Sequence, residues 1–177
     1  PGVLFMDVGS TKCDVVDAAK RALGDRVAGF VPCHPIAGKE AGGVANADAT
    51  LYQGCKVIIT PSPVTDPAQV QRATDVWSAV GGQVVRMRPQ HHDTAFAAVS
   101  HLPHLLAFAY FNAVATQARG PDFLSLAGPG FRDFTRIAAS EPAVWRDSLL
   151  ANRADLLAQA HKFREALDGF ERLIESG

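Results

Sequence analysis

Histidines are the side chains in this sequence best suited to proton transfer near neutral pH. An imidazole with its ordinary pKa of about 6.5 is mostly neutral at pH 7 and can accept a proton. Any one of these side chains is more often structural or exposed than catalytic. The neighbouring residues must therefore indicate which histidine has a catalytic role. The chain contains six histidines, His34, His91, His92, His101, His104 and His161.

Three polar residues fall near one stripe of a long apolar helical segment in the second half of the chain. These are Asp93, either Ser100 or His101, and His104, and polar groups on such a face must bond neighbours or line a cavity. Pro103 removes a backbone donor just before His104, so we expect a kink in the helix. The pattern predicts either a pocket wall or satisfied buried histidines.

The same side chains could ligate zinc. His101 and His104, together with Asp93 or His92, offer the nitrogen and oxygen donors that Zn²⁺ accepts. However, the two histidines are three positions apart around Pro103, and no His-Glu-x-x-His arrangement occurs. We therefore expect no metal site.

A second candidate group lies between residues 131 and 136, where charged and aromatic residues alternate. Asp133 and Arg136 could form an i, i+3 surface ion pair, which stabilises a helix by only a few tenths of a kcal/mol. Alternatively, the Arg136 guanidinium could bind a substrate carboxylate through two parallel hydrogen bonds. Spacing alone does not choose between these interpretations.

The first half of the chain alternates strands with helices. Apolar runs bounded by Gly and Pro predict strands at residues 3–6, 27–31, 56–60 and 83–87. Helical spacing of apolar residues predicts helices at residues 12–23 and 67–80. This alternation is typical of the α/β class, with a parallel or mixed sheet covered by helices.

Local signals predict where several of these elements begin and end. We expect Ser10 or Thr11 to cap the first helix, and Gly24 to end it. Asp66 is the expected N-cap of the second helix, with Pro67 at its first position. Prolines on both sides of His34 interrupt the second strand because they cannot donate a ladder hydrogen bond, so we expect His34 in a loop just beyond a strand end.

The second half lacks strand patterns. Helical segments are predicted at residues 91–118, 131–140, 141–150 and 151–176. We place a domain boundary near residue 90, with an α/β part at residues 1–90 and an all-helical part at 91–177. The helical part is too apolar to be stable as a lone bundle, so we expect it to bury surface against another subunit.

Composition excludes several classes of protein. The formal net charge is −1. It gives no electrostatic reason to expect nucleic acid or an anionic membrane as a partner, because both bind to clustered basic charge. Cys13, Cys33 and Cys55 cannot all pair and lack metal-type spacing, which indicates a reducing compartment. No apolar run approaches the ~20 residues of a spanning helix, and no signal peptide is evident. We expect a cytoplasmic protein.

Six stretches of the chain share their order and spacing with one known family. They are Asp7-Val8-Gly9-Ser10-Thr11-Lys12, His34-Pro35-Ile36-Ala37-Gly38-Lys39-Glu40, Thr60-Pro61, Ser100-His101-Leu102-Pro103-His104, Asp133-Phe134-Thr135-Arg136 and Trp145-Arg146-Asp147. Together they resemble the prephenate/arogenate (cyclohexadienyl) dehydrogenases of tyrosine biosynthesis, and the resemblance extends over nearly the whole chain.

The resemblance implies a Rossmann-like dinucleotide-binding domain, of which residues 1–90 would be the carboxyl-terminal half. Residues 91–177 would form an all-helical dimerisation and substrate domain, with the active site in the cleft between the two. The family's Gly-x-Gly-x-x-Gly turn does not occur in this sequence, and we expect it upstream. The implied reaction oxidatively decarboxylates prephenate or arogenate, with hydride transfer to NAD or NADP.

Carried over by position, His34 would accept the proton of the substrate hydroxyl. Ser10 would lie beside the same hydroxyl and the nicotinamide, and Gly9 and Ser10 would contact the cofactor. Arg136 would bind a substrate carboxylate, in an ionic network with Asp133 and Glu40. The remaining implied substrate contacts are His104, Trp145 and Lys39, of which the last bears on the choice between prephenate and arogenate.

The resemblance implies a homodimer that acts on a small molecule, with no nucleic-acid or membrane partner. Because the glycine-rich turn is absent from these residues, a second interpretation stays open. In that alternative the chain is a non-catalytic dimerising or ligand-binding module derived from such an enzyme.

Overall fold

The structure, a computed structural model, describes residues 2–38 and 43–177. The chain divides into two compact units, Pro1–Ala95 and Phe96–Gly177. His91, His92 and Asp93, which we assigned to the helical part, therefore belong to the first unit.

The strands of the first unit form two small sheets. Strands β1 (Phe5–Met6) and β2 (Phe30–Val31) pair in parallel. The second sheet has the order β3 (Cys33–Pro35), β4 (Lys56–Ile59) and β5 (Gln83–Arg86). In it β3 and β4 are antiparallel, whereas β4 and β5 are parallel. The predicted α/β class with mixed pairing is confirmed.

Three helices accompany these strands: α1 (Cys13–Leu23), α2 (Pro67–Ala79) and α3 (Pro89–Phe96). The local end signals of α2 are confirmed, since an Asp66 carboxylate oxygen accepts a hydrogen bond of 2.8 Å from the Ala68 N–H. Gly24 ends α1 with a φ of 53°, a value that glycine adopts readily.

The second strand differs from the prediction. Residues Gly24–Gly29 form a 3₁₀ helix, so that only Phe30–Val31 pairs with β1. His34 lies in strand β3, opposite Ile58, and the expected loop is wrong. The prolines are tolerated because β3 is an edge strand, where a missing N–H leaves no ladder acceptor unpaired. The carbonyl of Pro32 still accepts a hydrogen bond of 2.9 Å, from the Thr60 N–H.

One apolar core holds the strands of the first unit against α2. It is built from side chains of β2, β3, β4 and α2, namely Val31, Cys33, Val57, Ile59, Val70, Ala73 and Trp77. Burying these side chains supplies the main stabilising term, at about 25 cal/mol for each Å² of apolar surface removed from water. The strands that carry the candidate site residues are thereby fixed to a packed layer.

The second unit is helical, as predicted. Its helices are α4 (Leu102–Ala115), α5 (Gly120–Ser125), α6 (Pro129–Thr135), α7 (Pro142–Ala151) and α8 (Arg153–Ser176). A 3₁₀ turn, Arg136–Ala139, follows α6. The short helix α5 was not among the predicted segments.

A π-helical turn lies just before Pro103, where we expected a kink in the helix. Residues Ala97–His101 form a π-helical turn, in which the Leu102 N–H donates to the Ala97 carbonyl. Pro103, which has no N–H to donate, comes just after this turn, and the backbone stays helical from Pro89 to Ala115. The proline is therefore accommodated next to a wider turn within a continuous helical segment.

Within the described residues, one helical segment, Pro89–Ala115, is long and apolar enough to cross a membrane by length and composition. Our expectation that no such run exists is therefore wrong. The criterion is weak evidence, because the core helix of a water-soluble protein can also meet it.

Candidate active site

Three side chains of the first unit form a continuous hydrogen-bonded row. His34 Nδ1 lies 2.7 Å from His92 Nε2, and His92 Nδ1 lies 2.8 Å from Asp93 Oδ1. The His92 side chain is fully buried, and Asp93 is only 3% exposed. The predicted base is thus held by a second histidine that spacing could not identify, since 58 positions separate the two.

The Asp93 carboxylate also caps helix α1. Its Oδ1 accepts from the Lys12 N–H and its Oδ2 from the Cys13 N–H, each at 2.8 Å. The N-cap residue is Lys12, with no hydrogen bond from its own side chain, so the predicted cap by Ser10 or Thr11 is wrong. A carboxylate near a helix N-terminus is stabilised by the free N–H groups and by the helix dipole.

Two opposing effects act on the pKa of Asp93. Burial raises it, but hydrogen bonds from His92, from the N–H and thiol of Cys13, and from the Lys12 N–H more than offset burial. The result is a pKa lowered to about 2. The group is therefore a carboxylate anion near neutral pH, and it can only accept hydrogen bonds.

A second set of contacts ties the loop after β1 to the start of β3. Asp7 Oδ1 accepts from the Cys33 N–H at 2.8 Å, and Asp7 Oδ2 accepts from the Gly9 N–H at 2.9 Å. The fully buried ammonium of Lys12 pairs with Asp7 Oδ2 and donates to the Cys33 carbonyl at 2.7 Å. This ion pair holds the backbone next to His34 against the loop that carries Gly9.

The neighbouring thiol of Cys33 is not a nucleophile. Burial raises its pKa to about 11, even though the nearby Lys12 ammonium acts in the opposite direction. A thiol with such a pKa stays protonated near neutral pH. Its Sγ donates to the Val31 carbonyl at 3.2 Å, which is a structural role.

The topology places the predicted residues of the first unit beyond the carboxyl ends of two neighbouring strands. Gly9 and Ser10 follow β1, and His34 follows β2, and these two strands are parallel. In α/β sheets, ligands bind just beyond the carboxyl ends of the strands. Two further predicted substrate contacts, Lys39 and Glu40, lie outside the described residues.

In the second unit, His104 and Trp145 come together. Their rings stack with centroids 3.3 Å apart and planes inclined by 16°. His104 Nδ1 lies 3.0 Å from the Ser100 carbonyl, to which it must donate, so Nε2 is an acceptor in the neutral ring. Burial lowers the pKa of His104, with the Ser100 bond acting in the opposite direction. The pair presents an aromatic surface with one acceptor nitrogen.

His101 has a different role from its neighbour on the chain. It is fully buried, and its Nδ1 lies 3.1 Å from the Asn152 side-chain nitrogen. Asp93 bonds the N–H groups at the start of α1, so these two members of the polar stripe are buried groups bonded to neighbours, which is one of the two predicted alternatives.

Asp133 and Arg136 lie on consecutive turns. Asp133 is on α6, Arg136 begins the following 3₁₀ turn, and both are exposed. The aromatic residue between them, Phe134, packs edge-on against Tyr110 with centroids 5.3 Å apart. This packing anchors the segment and leaves its charged residues at the surface.

A cavity of about 520 Å³ also occurs in the first unit. Its lining includes Cys13, Asp17, Lys20, Pro61 and Arg88. None of the predicted catalytic or substrate-binding residues contributes to this lining.

Comparison with known proteins identifies the chain. The family model for "Prephenate dehydrogenase, nucleotide-binding domain" matches residues 1–86, and that for "Prephenate dehydrogenase, dimerization domain" matches residues 88–177. The prephenate dehydrogenase of Bacillus subtilis is 36% identical over 98% of this chain and 47% of its own length. The cyclohexadienyl dehydrogenase of Zymomonas mobilis is 37% identical over 98% of this chain and 59% of its own.

Solved structures agree with these relatives. Prephenate dehydrogenase from A. aeolicus, in complex with hydroxyphenyl propionate and NAD⁺, matches with a TM-score of 0.90 and 39% identity, over 98% of this chain and 60% of that one. Synechocystis arogenate dehydrogenase matches with a TM-score of 0.81 and 29% identity, over 98% and 62%. The chain thus spans about half to three-fifths of the length of these proteins. The predicted resemblance is confirmed, and the chain belongs to the prephenate dehydrogenase family.

Proposed function

We propose that the protein containing this chain oxidatively decarboxylates prephenate to 4-hydroxyphenylpyruvate, arogenate to tyrosine, or both, with NAD or NADP as hydride acceptor. The observation that carries the proposal is the hydrogen-bonded row that ends on His34, at the sheet edge where Gly9 and Ser10 also lie. The relatives named above support it, because they are prephenate, cyclohexadienyl and arogenate dehydrogenases.

In this proposal His34 acts as the general base. Its Nε2 accepts the proton of the hydroxyl on the ring carbon that loses the hydride. The nicotinamide cofactor, when bound, supplies the acceptor for that hydride. The bond to the ring carboxylate breaks, CO₂ leaves, and its electron pair completes the aromatic ring. The phenolate oxygen that results takes back a proton to give the phenol. Ser10 orients the hydroxyl, and such alignment is a large part of catalysis in hydride transfer.

Gly9 and Ser10 are the residues of this chain that would contact the cofactor. Their loop follows the carboxyl end of β1, where α/β sheets bind nucleotides. A Cβ on Gly9 would lie 3.1 Å from Asp7 Oδ2, so the close packing of this loop favours glycine. These features fit a nicotinamide at this edge, and the A. aeolicus relative was solved with NAD⁺.

Arg136 would bind a carboxylate of the substrate through its exposed guanidinium. Asp133 and Glu40 would orient that guanidinium, and Lys39 would influence the choice between the keto and amino side chains of prephenate and arogenate. The stacked pair of His104 and Trp145 would contribute an aromatic wall to the substrate pocket.

We further propose a cytoplasmic homodimer that forms through the helical unit. Apolar side chains recur at helical spacing along α8 and are exposed to solvent, including Phe163, Leu167, Phe170 and Ile174, of which Ile174 is 80% exposed. An apolar stripe of this size on a lone subunit indicates a protein interface. The family model for this part of the chain carries the name dimerization domain.

The primary test measures reduced nicotinamide formation by the full-length protein with prephenate and with arogenate, each with NAD⁺ and with NADP⁺. We expect turnover with at least one combination. Absence of turnover with all four would refute the proposed function. Calorimetry of the 177-residue chain with NAD⁺ tests the non-catalytic alternative. A micromolar affinity of the chain for NAD⁺ would contradict a module that no longer binds this cofactor.

A second test separates the roles of two residues. His34→Asn should lower kcat by orders of magnitude with little change in KM, because it removes the base but preserves size. Arg136→Ala should mainly raise KM. His91→Asn is the matched control, since His91 is exposed and adjoins the same row of residues without a proposed role. The reverse pattern of kcat and KM effects would contradict these assignments.

A further inference from the structure

We propose that His92 and Asp93 are positioning residues that set the tautomer of His34, so that His34 Nε2 presents its lone pair to the substrate hydroxyl. This inference deepens the proposed function and rests on it, because it assumes that His34 is the base. It rests on the geometry of the hydrogen-bonded row within the first unit.

The first step concerns the Asp93 carboxylate. Both of its oxygens accept backbone N–H groups at the start of α1, which fixes its orientation. Because its pKa is lowered to about 2, it carries no proton near neutral pH. An ionised carboxylate can only accept, so the 2.8 Å contact requires that His92 Nδ1 carries the hydrogen.

The second step follows from the chemistry of a neutral imidazole. A neutral ring has one N–H and one acceptor nitrogen, so His92 Nε2 must be an acceptor. It lies 2.7 Å from His34 Nδ1, and this contact is a hydrogen bond only if His34 Nδ1 donates. The second nitrogen of His34, Nε2, therefore carries a lone pair, as a general base requires.

The third step concerns what happens when His34 takes a proton. Its Nδ1–H bond to His92 then becomes charge-assisted, and such bonds are roughly twice as strong as neutral ones. His92 is fully buried, so the bond is electrostatically stronger than the same bond in water. The anion of Asp93 at the end of the row also favours the developing imidazolium. The proton stays on His34, and no further transfer is needed.

A purely structural role for His92 makes different predictions. If His92 only filled space in the buried interior, its replacement would lower the free energy of unfolding without changing the tautomer of His34. The proposal instead requires a specific loss of kcat and a change in the ring nitrogens of His34.

The test combines kinetics with NMR on the full-length protein. His92→Leu removes the acceptor, and we expect kcat to fall about 10–100-fold, the loss typical of a metal-binding histidine deprived of the partner that orients it, while KM changes less than about twofold. His92→Gln retains an oxygen that can accept from His34, and should recover most of the activity. His91→Leu, an exposed neighbour on the same helix, should match wild type.

Nitrogen-15 spectra of the histidine rings give a readout independent of turnover. In wild type, we expect both His34 and His92 to carry hydrogen on Nδ1. In His92→Leu, His34 should lose this preference. If that variant does not fold, His92→Gln gives the second readout, because its amide oxygen can accept from His34 Nδ1; His34 should then keep hydrogen on Nδ1, and its loss would contradict the inference.

Specific outcomes would overturn the inference. These are a wild-type His34 with hydrogen on Nε2, an unchanged kcat in His92→Leu, or equal losses in the Leu and Gln variants. Failure of the proposed function is separate: wild type would then turn over no substrate, whatever its tautomers. An active wild type with the wrong His34 tautomer would refute only the inference.

Discussion

The strongest stability prediction concerns Asp93→Asn, which replaces a buried anion with a neutral amide of nearly equal size. The folded-state pKa of Asp93 is about 2 against an ordinary value of 3.8. Each pKa unit corresponds to 1.36 kcal/mol, so the ionised carboxylate stabilises the folded state by roughly 2 kcal/mol at neutral pH. We expect the variant to lose about this much free energy of unfolding at pH 7.

The pH dependence has a definite sign. Because the folded-state pKa lies below the unfolded one, the stabilisation is complete well above pH 4 and disappears as the pH falls toward 2. The difference in free energy of unfolding between wild type and Asp93→Asn should therefore be largest at neutral pH. It should shrink as the pH drops below about 4.

Urea unfolding of the 177-residue chain at fixed protein concentration can measure this difference. Trp77 is buried in the core of the first unit, so its fluorescence reports that unit when Trp145 is replaced by Phe. Asp66→Asn is the matched control, because Asn caps a helix about as well as Asp and should cost only a few tenths of a kcal/mol. Equal midpoints for wild type and Asp93→Asn at pH 7, or a difference independent of pH, would refute the reasoning.

Two further predictions concern the buried ion pair of Lys12 with Asp7 and the close backbone contact at Gly120. Lys12→Met leaves the Asp7 carboxylate without its buried ammonium partner, and should cost the first unit about 3–5 kcal/mol in urea unfolding. Adding Asp7→Asn should recover part of this loss, and strictly additive losses would contradict the ion-pair explanation. Gly120→Ala places a Cβ 2.4 Å from the Ala115 carbonyl oxygen, so thermal unfolding should show a loss of about 1–3 kcal/mol. Gly130→Ala meets no atom within 4 Å and should be neutral, and equal effects of the two substitutions would argue against a clash.

Elements with complete local signals were predicted well. Helix α2 has its N-cap at Asp66, a proline at its first position and Gly81 just beyond its end, and the structure has the helix at Pro67–Ala79. Gly81 has a φ of 89°, which glycine adopts without strain. Such signals act between residues a few positions apart, so the sequence carries them directly.

Elements that depend on distant partners were predicted less well. The sequence indicates a broken strand around His34, whereas pairing with β4 makes Cys33–Pro35 a strand. The expected cap of α1 was a serine or threonine next to the helix, but Asp93 supplies the carboxylate from 81 positions away from Lys12. In both cases a tertiary contact overrides the local preference.

The sequence by itself determined the class of fold, the helical second half and, through the resemblance, the candidate residues His34, Ser10 and Arg136. Only the tertiary structure showed that His34 is bonded to His92, and that Asp93 orients His92 while capping α1. The reason is physical. Periodicity and capping record interactions within a few residues, whereas a hydrogen bond between side chains far apart in the chain forms only after the core has brought their elements together.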